Sequence, residues 1–174
     1  MKVLAIAVGL LFAAAGVYAQ AINDAQIAAI VVTANQVDID AGVLAKSRAS
    51  GPDIKAFAEL MISDHTNVNK AATELVTRLK VVPEENPTSR SLKAGGEKNL
   101  AHLKRLHHAA FEKAYIDHEV AYHQEVIDAL DKTLIPGATN QELKDLLIKA
   151  RPTFVAHLEH AKQLQKKLSE GSER

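Results

Sequence analysis

Apolar side chains recur every three or four residues along four long stretches of this chain, and Gly or Pro clusters separate the stretches. That spacing builds amphipathic helices and leaves β structure little room. From Asp24 to about Arg48 the stripe is Ile27, Ile30, Val31, Ala34, Val37, Ala41, Leu44 and Ala45, with Asn23 or Asp24 as cap. Ser50-Gly51-Pro52-Asp53 announces a second helix, with proline at its first turn and an acid at its positive end. Its stripe runs from Ile54 and Phe57 through Met61 and Val68 to Leu79, and the short break before it predicts an antiparallel pair. Pro83 and Pro87 end this helix and open a connection to about His108; Gly95-Gly96 is expected to break it, with a short helix around Leu100, Leu103 and Leu106. A third long helix carries Phe111 to Leu134 and closes at Pro136-Gly137; a fourth runs from Asn140 to about Leu168, bent at Pro152. The pattern predicts an all-α chain, a bundle of four helices built as two antiparallel hairpins joined by a long crossover, the arrangement of ferritin-like folds.

The ends read differently. Lys2 followed by the apolar run Val3 to Ala15 and by Val17-Tyr18-Ala19 has the form of a cleaved secretory signal over residues 1–19. The run is shorter than the ~20 residues that span a bilayer, and no later stretch is expected to do so. Residues 20–168 then form one domain and 169–174 a polar, flexible tail, in a protein placed in the periplasm or outside the cell. With 21 basic and 21 acidic side chains there is no net charge to draw the chain onto nucleic acid, and 4% aromatic content offers no stacking platform. The absence of cysteine removes disulfides, thiolate metal sites and a lipid-anchored N-terminal cysteine. A protein partner or a homo-oligomer stays open.

At ~100° per residue, Asp38, His65, Glu119, His123 and His157 fall within apolar stripes. Burying them costs several kcal/mol unless they satisfy one another, hold water or bind a metal. Asp40, Asp64 and His160 land on flanks, and His118 faces solvent. Counted from the turns at Ser50 and Pro136-Gly137, Asp38 and His65 can touch, whereas His157 lies roughly 10 Å deeper than His123 and nearer the level of Glu119. A subset or a string of hydrogen bonds is therefore expected in place of one five-ligand site. His118-Glu119-Val120-Ala121-Tyr122-His123 mimics the zinc-protease H-E-x-x-H, but its histidines, five apart, point ~140° from each other. His102, His107 and His108 read as solvated. No Glu-x-x-His, G-x-S-x-G, P-loop or dinucleotide fingerprint occurs.

Asp38-Ile39-Asp40-Ala41-Gly42, Ile54-Lys55-Ala56-Phe57-Ala58, Met61-Ile62-Ser63-Asp64-His65-Thr66-Asn67, Phe111 through His123, and Pro152-Thr153 with His157-Leu158-Glu159-His160-Ala161 together resemble the bacterial domain-of-unknown-function 4142 family, some of whose members are labelled predicted outer membrane proteins. The resemblance spans Asp24 to Leu168. It implies a ferritin-like fold in a secreted or periplasmic protein and supplies no activity; the family's polar positions match Asp38, His65, His123 and His157. Asp38 stands where the family usually has Glu, a carboxylate reaching ~1.5 Å farther, and Glu119 where an amide is common.

Two readings follow. The first is a non-catalytic structural, interaction or stress-associated envelope protein whose polar cluster fixes how the hairpins dock. The alternative is a metal-binding or metal-dependent redox protein using Asp38, His65, Glu119, His123 and His157, ligands that suit Zn, Cu(II), Mn or Fe. No catalytic residue is assigned, and the missing motifs point away from an enzyme. A third expectation is a dry pocket for a small apolar ligand, lined by Met61, Phe57, Ile127 and Leu130.

Overall fold

A computed structural model describes residues 22–172, so the leader read over residues 1–19 lies outside the described part. Every regular element within it is helical. Helix α1 spans Asp24–Arg48 and starts in a capping box: Asn23 Oδ1 accepts from the Gln26 amide at 2.8 Å, and Gln26 Oε1 accepts from the Asn23 amide at 3.2 Å. Helix α2 spans Pro52–Leu79 and ends in a left-handed Lys80. Because Gly51 has no side chain to cap α2, Glu112 from another helix does so, accepting from the Ser50 and Gly51 amides at 2.6 and 2.7 Å.

The crossover corrects the sequence reading. Helix α3 runs unbroken over Pro87–Leu103, straight through Gly95-Gly96. Two interior glycines weaken a helix by roughly 1 kcal/mol each, but Gly96 is needed for contact: a Cβ there would lie 2.7 and 2.8 Å from the two Cγ atoms of Val37. The pair marks a close approach to α1, not a break. Asn86 caps α3 with its side chain on the Thr88 and Ser89 amides.

Helix α4 spans His108–Ala129, continues as a π-helical turn over Leu130–Leu134, and finishes with Ile135–Gly137. Pro136 has no N–H for the ladder, and just before it the bonding slips, the Ile135 amide reaching Leu130 O. Helix α5 spans Gln141–Ser172, past the expected end at Leu168, and continues through Pro152. Its start is tied to that of α1, where Asp24 accepts from the Thr139 amide at 2.8 Å and the Asn140 amide at 3.0 Å.

Contact pairs give the topology. Asp38 with His65 and Gly42 with Met61 run in opposite order on α1 and α2. Asp117 with Gln165 and Asp131 with Arg151 do so on α4 and α5; Asp64 with His157 and Arg78 with Glu142 on α2 and α5. Both hairpins are antiparallel and pack on each other. Helix α3 follows α1 in the same direction, Asn86 near Gln26 and Leu103 near Arg48, and so carries the chain from the foot of α2 to the top of α4.

The core falls into two apolar halves. One holds Ile27, Ile30, Leu75, Ile127, Leu130, Leu143 and Leu147; the other Ala45, Phe57, Met61, Phe111, Tyr115, Ile116 and Leu164. On α1, α2 and α4 a polar layer lies between them, and on α5 His157 sits at the edge of the first half, one residue before Leu158. Helix α1 is long and apolar enough to cross a membrane by length and composition, with a mean hydropathy of 1.5 over 18 residues. That corrects the expectation that nothing after residue 19 would be. Here it packs against α2, α3 and α4, with Asp38 inward.

Candidate functional site

All five polar residues read from the helix phases are buried: Asp38, Glu119 and His123 are each 1% exposed, His65 and His157 each 2%. The structure brings them into one layer as two overlapping groups that share His123. One nitrogen each from His65, His123 and His157 lie within 4.8 Å of one another, and so do ligand atoms of Asp38, Glu119 and His123. Asp38 Oδ2 stands 3.0 Å from His65 Nε2 and 3.5 Å from His123 Nε2, so the shorter carboxylate does reach.

The depth expected for His157 needs correction. Its ring centroid is 5.4 Å from that of His123 and 5.3 Å from that of His65. The turn was counted from Pro136-Gly137, whereas the chain turns over Ala138-Thr139-Asn140, which removes most of the apparent offset. His118 also differs from expectation. It is half-buried, stacked on Tyr122 at 5.5 Å, and burial lowers its pKa. It still points away from His123, so the protease-like motif is not assembled. His102, His107 and His108 are exposed.

The hydrogen bonds give one nitrogen of each imidazole an oxygen partner. His65 Nδ1 lies 2.7 Å from Asn35 Oδ1, and the Asn35 amide nitrogen donates to Val31 O at 2.8 Å, so the oxygen faces the ring. His123 Nδ1 donates to Glu119 O at 3.0 Å, and His157 Nε2 donates to Asp64 Oδ2 at 2.9 Å. Each outward nitrogen is thus engaged by an acceptor. The inward atoms, His65 Nε2, His123 Nε2 and His157 Nδ1, have no partner in hydrogen-bonding geometry, nor do Asp38 Oδ1, Asp38 Oδ2, Glu119 Oε2 and the Tyr115 hydroxyl.

Electrostatics sort the two acids. Burial alone would raise the Asp38 pKa, but His65 and His123 beside it more than offset this and hold the carboxyl well below its usual range. Burial first, and the Asp38 charge second, push Glu119 well above the ordinary carboxyl range, and the two groups lie close enough to share a hydrogen bond. Burial lowers the His123 pKa to about 4, against the pull of Asp38, and lowers that of His157 against Asp64. Burial and the neighbouring Glu119 also keep Tyr115 a phenol. The layer therefore places imidazole nitrogens without a hydrogen-bond partner beside an Asp38 carboxylate whose ionised form His65 and His123 favour.

Sequence reasoning missed Asn35 and Asp64. Asn35 sits one turn before Asp38, a signal available from the helix spacing; Asp64 is a flank residue, half-buried, whose role needs α5 beside it. Phe154 was read only as apolar, yet it stacks on His65 with centroids 5.2 Å apart and planes 8° from parallel. The expected pocket around Phe57 and Met61 is not seen: both are 0% exposed in the core, and neither lines a cavity found among the described residues. A cavity lies in the other half, beside Asn35 and His65, and keeps only Leu130 of the four predicted residues.

The profile of a family described as Domain of unknown function (DUF4142) matches residues 12–164, which is most of the chain. No curated protein and no solved structure matches it. The chain belongs to that family.

Proposed function

We propose that this DUF4142 protein binds a divalent transition-metal ion, held by His65 Nε2, His123 Nε2, His157 Nδ1 and the Asp38 carboxylate, inside a ferritin-like four-helix bundle exported to the periplasm or beyond. One observation carries the reading: three imidazoles from three helices each bring one nitrogen within 4.8 Å of the others, while an oxygen acceptor holds one nitrogen of each ring and the second has no hydrogen-bond partner. Metal-ligating histidines have this arrangement, because the outer hydrogen bond fixes the tautomer and raises ligand basicity.

Charge supports it. Asp38 Oδ2 stands 3.0 Å from His65 Nε2, a contact that calls for a positive charge, either a proton on His65 or a bound cation. A proton on His65 would answer that contact, yet His123 Nε2 and His157 Nδ1 would still lack partners. A bound cation among the three imidazoles answers these atoms, with Asp38 beside it on the side of His65 and His123. Ligands on a tetrahedral ion with ~2.1 Å bonds sit about 3.4 Å apart. The Asp38 contacts of 3.0 and 3.5 Å bracket that edge, and the imidazole nitrogens need to close by on the order of 1 Å from their limit of 4.8 Å. Three nitrogens and one oxygen suit Zn(II) or Cu(II), with Mn and Fe less favoured by the imidazole share.

The leader-like N-terminus supports export, and the two hairpins with a helical crossover support the ferritin-like name. The test is metal content of untagged protein purified without chelator, followed by Co(II) titration of stripped protein. One equivalent of metal and a tetrahedral Co(II) spectrum are expected. Both should disappear in His65→Gln and His123→Gln while the far-ultraviolet helical signal stays. Substoichiometric metal with no Co(II) spectrum would return the cluster to the purely structural role of docking the hairpins.

A further inference from the structure

From the cavity beside the polar layer we infer a second binding site, for a small uncharged apolar molecule about the size of one substituted aromatic ring. The inference is independent of the metal reading, because of the proposed ligands only His65 lines the cavity.

The cavity has a volume of about 200 Å3. A cavity of ~150 Å3 lined by aliphatic and aromatic side chains stays dry and takes up benzene, so this one has room for a ring with a short substituent. Its wall is apolar: Ile30 and Val31 from α1, Leu130 and Leu134 from the π-helical turn, Leu147 and Phe154 from α5. The π-helical turn displaces one residue of α4 at this wall, and single π turns inside α-helices are frequent at binding sites.

The polar atoms on the wall define the chemistry of the occupant. The Asn35 amide nitrogen donates to Val31 O and its Oδ1 accepts a hydrogen bond from His65 Nδ1; the Tyr122 hydroxyl donates to Ala34 O at 2.9 Å. Their strongest donors are already committed, so a ligand bringing its own hydrogen-bonding groups would bury them without compensation. Exposed Glu125 stands at the rim, where its charge disfavours carboxylates such as fatty acids. Shape, an apolar wall and charge therefore select a neutral hydrocarbon or aromatic over an anion of equal size.

Toluene and benzoate form the matched probes, used on chelator-treated full-length protein so that the outcome does not depend on bound metal. The readout is methyl resonances of Leu130, Leu134 and Leu147 together with the His65 ring signals, which the cavity wall shares. Toluene should shift them saturably and raise the melting temperature, with benzoate more than about tenfold weaker. Ala150→Leu, which projects into the cavity, should abolish the toluene response while the helical signal is retained. Should that variant fail to fold, the toluene and benzoate comparison on wild-type protein decides alone. Absence of a saturable toluene shift, equal responses to both probes, or a toluene response that persists in folded Ala150→Leu overturns the inference.

Discussion

Acid should destabilise this protein through His123 in a way that one substitution removes. The folded imidazole has its pKa lowered to about 4, chiefly by burial, with His65 and His157 adding to the shift and Asp38 opposing it; in the unfolded chain it titrates near ~6.5. Between those values the unfolded state binds a proton that the folded state excludes, so stability falls as pH falls through this window. At ~1.36 kcal/mol per unit, the loss is about 3 kcal/mol once pH 4 is reached. Glu119 acts with the opposite sign. Its folded pKa is raised, so its stabilising contribution is complete below the unfolded value and is lost as pH rises through the folded one. The wild-type curve is a sum of such terms and does not isolate His123.

The difference from His123→Gln does. Glutamine retains a planar side chain with a donor but does not titrate. Urea unfolding of chelator-treated protein, followed by far-ultraviolet circular dichroism between pH 7.5 and 4, should show wild type losing about 3 kcal/mol more than the variant. The comparison stops above the range in which Asp38 titrates, since that carboxyl is held well below its ordinary value. Parallel curves for the two proteins would refute the claim that His123 is held neutral by its surroundings.

Three further outcomes follow from individual contacts. Gly95→Ala, with nothing within 4 Å of the added Cβ, should stabilise the protein by about 0.5–1 kcal/mol, whereas Gly96→Ala, driven into Val37 at 2.7 Å, should destabilise it by about 1–3 kcal/mol; equal effects in urea unfolding would disprove the close-packing account of α3. Asn35→Ala removes the acceptor that orients His65 and should weaken metal affinity about 10–100-fold in chelator competition; unchanged affinity would mean that Asn35 does not set the His65 tautomer. Glu112→Ala leaves the Ser50 and Gly51 amides without their acceptor and should cost about 1–3 kcal/mol, read as a lower urea midpoint with unchanged slope.

What could be read from the sequence divides along a physical line. Angular position on a helix accumulates at a constant ~100° per residue, so Asp38, His65, Glu119, His123 and His157 were placed inward from local spacing alone, and all five are buried. Height along a neighbouring helix has no such local rule. It depends on where a turn reverses the chain and on any residue inserted into a helix, and both the turn at 138–140 and the π-helical slip over Leu130–Leu134 entered the His157 estimate unseen. Gly95-Gly96 failed for a related reason: a glycine pair has the same local signature whether it ends a helix or lets two helices touch, and only Val37 on α1 decides. The apolar halves seen in the structure give a better register than the turns do. On α1, α2 and α4 the buried residues of one half stop, a polar residue follows, and the other half begins: Val31, Asp38, Ala41 on α1; Met61, His65, Ala72 on α2; Ile116, Glu119 and His123, Ile127 on α4; on α5 His157 falls one residue before Leu158, the last buried residue of the first half, and Ala161 opens the second. Aligning those transitions across helices, instead of counting from turns, brings the polar positions of all four to one level, because a buried charge placed against a neighbour's apolar half would have no partner and cost several kcal/mol.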